Sequence, residues 1–148
     1  MNLEDAVLLA IAEGMGNPKY MAKNLNVDLE DVKVAIDNLM AEGLIVKKIR
    51  GFIFKKEVYE LTKRGFERVE RIKEELKKVA NDFKIAYESG DRTRLERLYH
   101  EYQHFVPLMI MFGLIDAIWL SILLSDFDIA ELDDSGFDDI DSDFDIEF

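Results

Sequence analysis

The sequence predicts a mainly α-helical fold with one small β-hairpin, continued by an antiparallel helical arm and a disordered acidic tail. Three observations predict it. Apolar residues recur at helical spacing through most of the first 105 positions. One stretch, LIVKKIRGFIFKKEVYELT (44–62), is instead rich in β-branched and aromatic residues. Residues 126–148 hold 11 acids and no base, with only isolated Phe and Ile between them, so they cannot build a core.

The elements follow in order. Val7, Leu8, Ile11 and Ala12 space a first helix that stops at Glu13 and Gly14. Asn17 and Pro18 open a second through Tyr20, Met21 and Leu25, because proline suits a first helical turn. Asp28 caps a third, with Asp31 at its third position and Leu29, Val32, Ile36, Leu39 and Met40 on its inner face. It ends at Glu42 and Gly43. The β-rich stretch reads as a hairpin turning at Arg50 and Gly51, and Thr62 can cap the helix after it.

Two segments here, LMAEGLI (39–45) and YELTKRG (59–65), resemble the end of the third helix and the end of the wing in winged helix-turn-helix transcription regulators of prokaryotes, above all archaea. The resemblance covers about residues 3–66. It implies a winged helix-turn-helix domain over residues 1–65, a cytoplasmic location, and double-stranded DNA as partner. In that family the outward face of the third helix meets base edges. Here that face is Glu30, Asp31, Lys33, Val34, Asp37, Asn38 and Ala41, of which only Lys33 and Asn38 suit base reading. The wing and the next helix start offer more: Lys47, Lys48, Arg50, Lys55, Lys56, Lys63 and Arg64 make a basic strip suited to phosphates. The alternative is a winged-helix module that binds proteins through its acidic helix and its tail.

From residue 66 to 124 the chain reads as a helical hairpin and an apolar helix. Val69, Ile72, Leu76, Val79 and Phe83 step by threes and fours, an a/d seam. Ser89, Gly90 and Asp91 break it. Leu95, Leu98, Tyr102 and Phe105 form a second seam. Together they predict an antiparallel arm and a homodimer built on it. FVPLMIMFGLIDAIWLSILL (105–124) carries no charge but Asp116. It reads as a buried helix of a dimer core, broken at Pro107 and Gly113. The alternative is a single membrane span, N-terminus cytoplasmic, since bases lie before it and only acids after it.

HEYQH (100–104) matches the H-E-x-x-H pattern of zinc peptidases, where both histidines bind the metal. The second seam puts His100 and His104 outward, without a third ligand, so they remain the only metal candidates and no cofactor is expected. The chain has no cysteine, no phosphate loop and no Ser-His-Asp set. No enzyme is expected.

Charge is unevenly placed. The net −12 lies wholly beyond residue 104, since residues 1–104 hold all 19 Lys and Arg and 19 of the 31 acids. Within that balanced half, residues 44–79 are locally +6 and residues 1–43 locally −5. The N-terminus has acids where a signal peptide needs bases. In the tail (125–148), DFDI occurs twice, at 126–129 and 143–146, and FDDI once. Phe127, Ile129, Phe137, Ile140, Phe144, Ile146 and Phe148 are therefore expected anchors for a protein partner. The last six residues resemble the acidic tips of bacterial single-stranded-DNA-binding proteins, with Glu147 where that family has proline.

Overall fold

The structure, a computed structural model, describes residues 1–115. They are mainly helical, with one two-stranded antiparallel sheet. The order is α1 (Leu3–Ala12), α2 (Pro18–Leu25), α3 (Leu29–Ala41), β1 (Ile45–Arg50), β2 (Lys56–Leu61), α4 (Lys63–Glu88), α5 (Arg92–Glu101) and α6 (Val106–Met111). The chain divides into two compact units: residues 1–22 with 26–74, and residues 23–25 with those from 75 on. The division falls within α4.

In the first unit, α1 is buried on nearly all its length, from Asp5 to Ile11, as a helix apolar on all faces must be. Its start is a capping box. The Asn2 side chain accepts from the Asp5 amide (3.0 Å), and Asp5 accepts from the Asn2 amide (3.3 Å). Asp5, only 5% exposed, also accepts from Arg68 Nε (3.1 Å) and from its terminal nitrogen (2.8 Å). One carboxylate therefore caps α1 and ties it to α4.

The other predicted starts form as expected. Asn17 accepts from the Lys19 amide (2.9 Å) in front of Pro18. Asp28 is the N-cap of α3, though its side chain makes no capping bond. Thr62 accepts from the Gly65 amide (3.1 Å) and donates to the Gly43 carbonyl (2.7 Å), so it caps α4 and holds it to the end of α3. Val32, Ala35, Ile36 and Leu39 are the buried face of α3.

Gly65 is required by close approach. A Cβ there would lie 2.1 Å from the Leu44 carbonyl oxygen, so α4 can start against Leu44, just before β1, only without a side chain.

The hairpin differs from expectation. Ile45 pairs with Leu61 and Arg50 with Lys56, so the connection is residues 51–55, not a tight turn at Arg50 and Gly51. A turn at 50 and 51 would set Ile45 opposite Lys56. The observed register joins two apolar residues at the hairpin's base, where Ile45 is buried, and that burial sets the register.

In the second unit, Leu25, Leu76, Val79, Phe83, Ala86, Leu95, Leu98, Tyr99, Phe105, Leu108 and Met109 are buried. After Gly90 the chain turns back, and Arg94 reaches Asp82 (3.5 Å). The second seam is not one helix. α5 ends at Glu101 and α6 begins at Val106 with Pro107 in its first turn. A continuous helix would drive the Pro107 ring into the carbonyl four residues back. α6 is six residues long, and its end bonds the Leu114 amide to the Met109 carbonyl (2.9 Å) across Gly113. Among the described residues no helix is long and apolar enough to cross a membrane.

Candidate nucleic-acid interface

Strand alternation decides what the basic strip looks like. Lys48 and Arg50 extend from one face of β1, while Lys47 and Ile49 extend from the other. The register sets Lys56 opposite Arg50 on the first face. The expected single strip is therefore divided over two faces of the hairpin, with Lys55 in the connecting loop.

Acids temper it. Lys47 pairs with Glu57 (3.2 Å), Lys48 with Glu60 (2.9 Å), and Arg50 with Glu60 also. The Lys48 and Arg50 side chains hold the Glu60 carboxyl below its usual pKa of 4.5. Among the described residues, Lys55 and Lys63 make no ion pair, and both are exposed. Arg64 donates to the Glu42 carbonyl (3.0 Å), so it closes the end of α3. From residue 45 to 63 the exposed cations are Lys47, Lys48, Arg50, Lys55, Lys56 and Lys63, against Glu57 and Glu60.

The hairpin also has an apolar tip, at residues that a turn at Arg50 and Gly51 would place in the second strand. Phe52, Ile53 and Phe54 stand at 102%, 86% and 87% of full exposure. Gly51, at φ +106°, closes the loop, and a Cβ on it would meet the Phe54 carbonyl oxygen at 2.3 Å.

The outward face of α3 is the one expected: Glu30, Asp31, Lys33, Val34, Asp37, Asn38 and Ala41 are all exposed. Neither proposed reader projects alone. Lys33 lies 3.6 Å from Glu30, and Asn38 donates to Glu4 (3.2 Å).

The seam residues Val69, Ile72, Leu76, Val79, Phe83, Leu95, Leu98 and Phe105 are buried within the single chain, and Tyr102 is half-buried. As a dimerisation surface they need correction, because they are not exposed for a second copy. Periodicity marks which stripe a helix buries, not whether the cover comes from the same chain. Tyr102 sits among carboxylates; burial first, then Glu101, Glu75 and Asp82, raise its phenol above 10.0.

HEYQH does not lie on one helix. His100 is the last basic residue of α5 and is exposed. His104 falls in the turn after it, half-buried, with Nδ1 3.2 Å from the Leu25 carbonyl oxygen. The outward placement expected for His104 is thus wrong, because the helix that placed it stops at Glu101. Among the described residues no three His, Cys, Asp or Glu are grouped to hold a metal ion. The tail anchors from Phe127 to Phe148 and the second half of the apolar run, with Asp116, lie outside the described residues.

No protein family, no curated protein and no solved structure matches the chain.

Proposed function

We propose that the first unit is a winged helix-turn-helix module that binds duplex DNA, taking hold of phosphates through the β-hairpin and the start of α4 while α3 reads few bases. The observation that carries this is the hairpin: six exposed cations against two acids between residues 45 and 63, with Lys55 and Lys63 free of ion pairs among the described residues. Support also comes from the order of three helices, hairpin and helix, with α4 docked on the end of α3 through Thr62, Arg64 and Gly65. Phosphate contacts position a protein without specifying sequence. A module of this kind binds many sequences with similar affinity and loses affinity steeply with salt. The test is a mobility-shift titration of a short duplex at about 50 mM salt, with the whole chain and with residues 125–148 removed. A shift in either supports the reading; no shift in both refutes it.

A second reading has its own observation. The exposed face of α3 holds Glu30, Asp31 and Asp37 against a single Lys33 that itself pairs with Glu30. Such a face repels phosphates and suits a basic protein surface. Charge reversal at Glu30, Asp31 and Asp37 separates the two readings: it strengthens DNA binding under the first and abolishes capture of a protein partner under the second.

A further inference from the structure

A β-arm that ends in three adjacent exposed apolar side chains needs an explanation. The tip is not a collapsed loop awaiting a neighbour. Gly51 lets the backbone close on itself at the Phe54 carbonyl, which turns Phe52 and Ile53 outward with none of the described residues covering them. Ile49, 65% exposed, extends the apolar surface one rung down the arm.

What surrounds the tip narrows its occupant. The rung next to the loop sets Arg50 opposite Lys56, and Lys55 lies in the loop itself, so cations stand immediately behind the apolar residues. Both acids of the hairpin lie farther from the tip: Glu57 is one rung down, opposite Ile49, and Glu60 pairs with Val46 near the base. The arm is thus graded, apolar at the end and cationic behind it, with the acids set back toward the root, from where Glu60 reaches Lys48 and Arg50. Two paired strands are about 4.8 Å apart, so the whole arm is narrow. A narrow apolar point with cations at its shoulders is complementary to an opened base step, with stacked apolar base faces inside and phosphates on both sides.

We propose that Phe52, Ile53 and Phe54 form a wedge that enters a base step of duplex DNA, with Arg50, Lys55 and Lys56 on the flanking phosphates, and that the protein kinks the duplex it binds. This rests on the DNA-binding reading above and adds to it a deformation of the DNA. Wedges of this kind unstack one step and bend the duplex by about 20–90°. Preference then follows the step's flexibility, so pyrimidine–purine steps such as TA are bound best.

The test uses the whole chain and a duplex of about 30 base pairs, on the scale of other bent sites, labelled at both ends, with a central TA step. Anisotropy reads binding and energy transfer reads the end-to-end distance. The variants are Phe52→Ser/Ile53→Ser/Phe54→Ser, which touches only exposed side chains and leaves the fold intact, and Gly51→Ala, which keeps the tip's composition and changes its loop. Wild type is expected to bind and to shorten the end-to-end distance. The triple variant keeps the salt dependence of binding and loses the shortening, and Gly51→Ala loses most of it. Binding by wild type without shortening, or equal shortening by the triple variant, overturns the wedge and leaves the DNA-binding reading standing. No binding by wild type, with or without residues 125–148, overturns both. Tip-dependent co-sedimentation with phosphatidylserine vesicles, without DNA bending, overturns the wedge in favour of a lipid-inserting tip.

Discussion

Replacing Gly65 by alanine isolates the contact that sets the hairpin on the helices. The added Cβ would stand 2.1 Å from the Leu44 carbonyl oxygen and 3.2 Å from its carbon. Ordinary contact begins near 3.4 Å, so about 1 Å of movement is needed, and both partners are backbone. The same oxygen accepts from the Thr62 amide (3.0 Å), so moving it disturbs that bond too. Overpacking of this kind costs about 1–3 kcal/mol, against a helix-propensity gain of at most about 1 kcal/mol. The net expectation is a loss of about 1–2 kcal/mol, or about 4–16 °C in Tm for a unit of this size. Urea unfolding followed by circular dichroism measures it, with Gly16→Ala as control, since Gly16 has nothing within 4 Å and an ordinary φ. If Gly65→Ala matched Gly16→Ala, the packing of α4 on Leu44 would be wrong.

Three further outcomes are expected. Arg68→Ala leaves the buried Asp5 carboxylate with only its capping bonds, and should cost about 1.5–3 kcal/mol as the loss of bonds to a charged group; restoration by Asp5→Asn in the same chain would show that the stranded charge is the cause, and an unchanged Cm for Arg68→Ala would contradict it. Glu60 is held below its usual pKa in the folded hairpin, so its contribution is present above about pH 4.5 and is lost as the pH falls through the folded value; amide exchange in residues 45–61 should quicken on acidification, and should lose that added pH dependence in Glu60→Gln. Tyr102 is shifted the other way, so its neutral form stabilises the fold below about pH 10 and the gain is lost as the pH rises through its folded value; ultraviolet titration should show a late-ionising phenol that vanishes in Tyr102→Phe.

Much of the architecture was legible because it depends on local chemistry. Pro18, Asp28 and Thr62 announced helix starts through dihedral preference and capping, and the structure begins helices beside each. The stripe of Val69, Ile72, Leu76, Val79 and Phe83 announced a buried face, and all five are buried. What stayed hidden depends on long-range geometry. Asp5 and Arg68 are 63 residues apart, and no spacing rule joins them. Phe52, Ile53 and Phe54 have high β-propensity and read as strand, yet the pairing of Ile45 with Leu61 leaves them in the loop. Arg64 read as one more phosphate contact, and only the approach of α4 to Glu42 gives it a different partner. Pro107 was the available signal for the end of α5. The even spacing of Leu95, Leu98, Tyr102 and Phe105 carried the expected helix past it, and with it the misplacement of His104.

The hairpin's role as a phosphate-binding arm is tested most directly by the salt dependence of DNA binding in the charge-reversed protein. Anisotropy with a short duplex is measured between about 50 and 200 mM salt, for wild type and for Lys47→Glu/Lys48→Glu/Lys55→Glu/Lys56→Glu. Wild type should show log K falling linearly with log salt at a slope of about −4, as for four to five phosphate contacts, and the variant should not bind. Binding by the variant with an unchanged slope, its fold intact, would contradict the account.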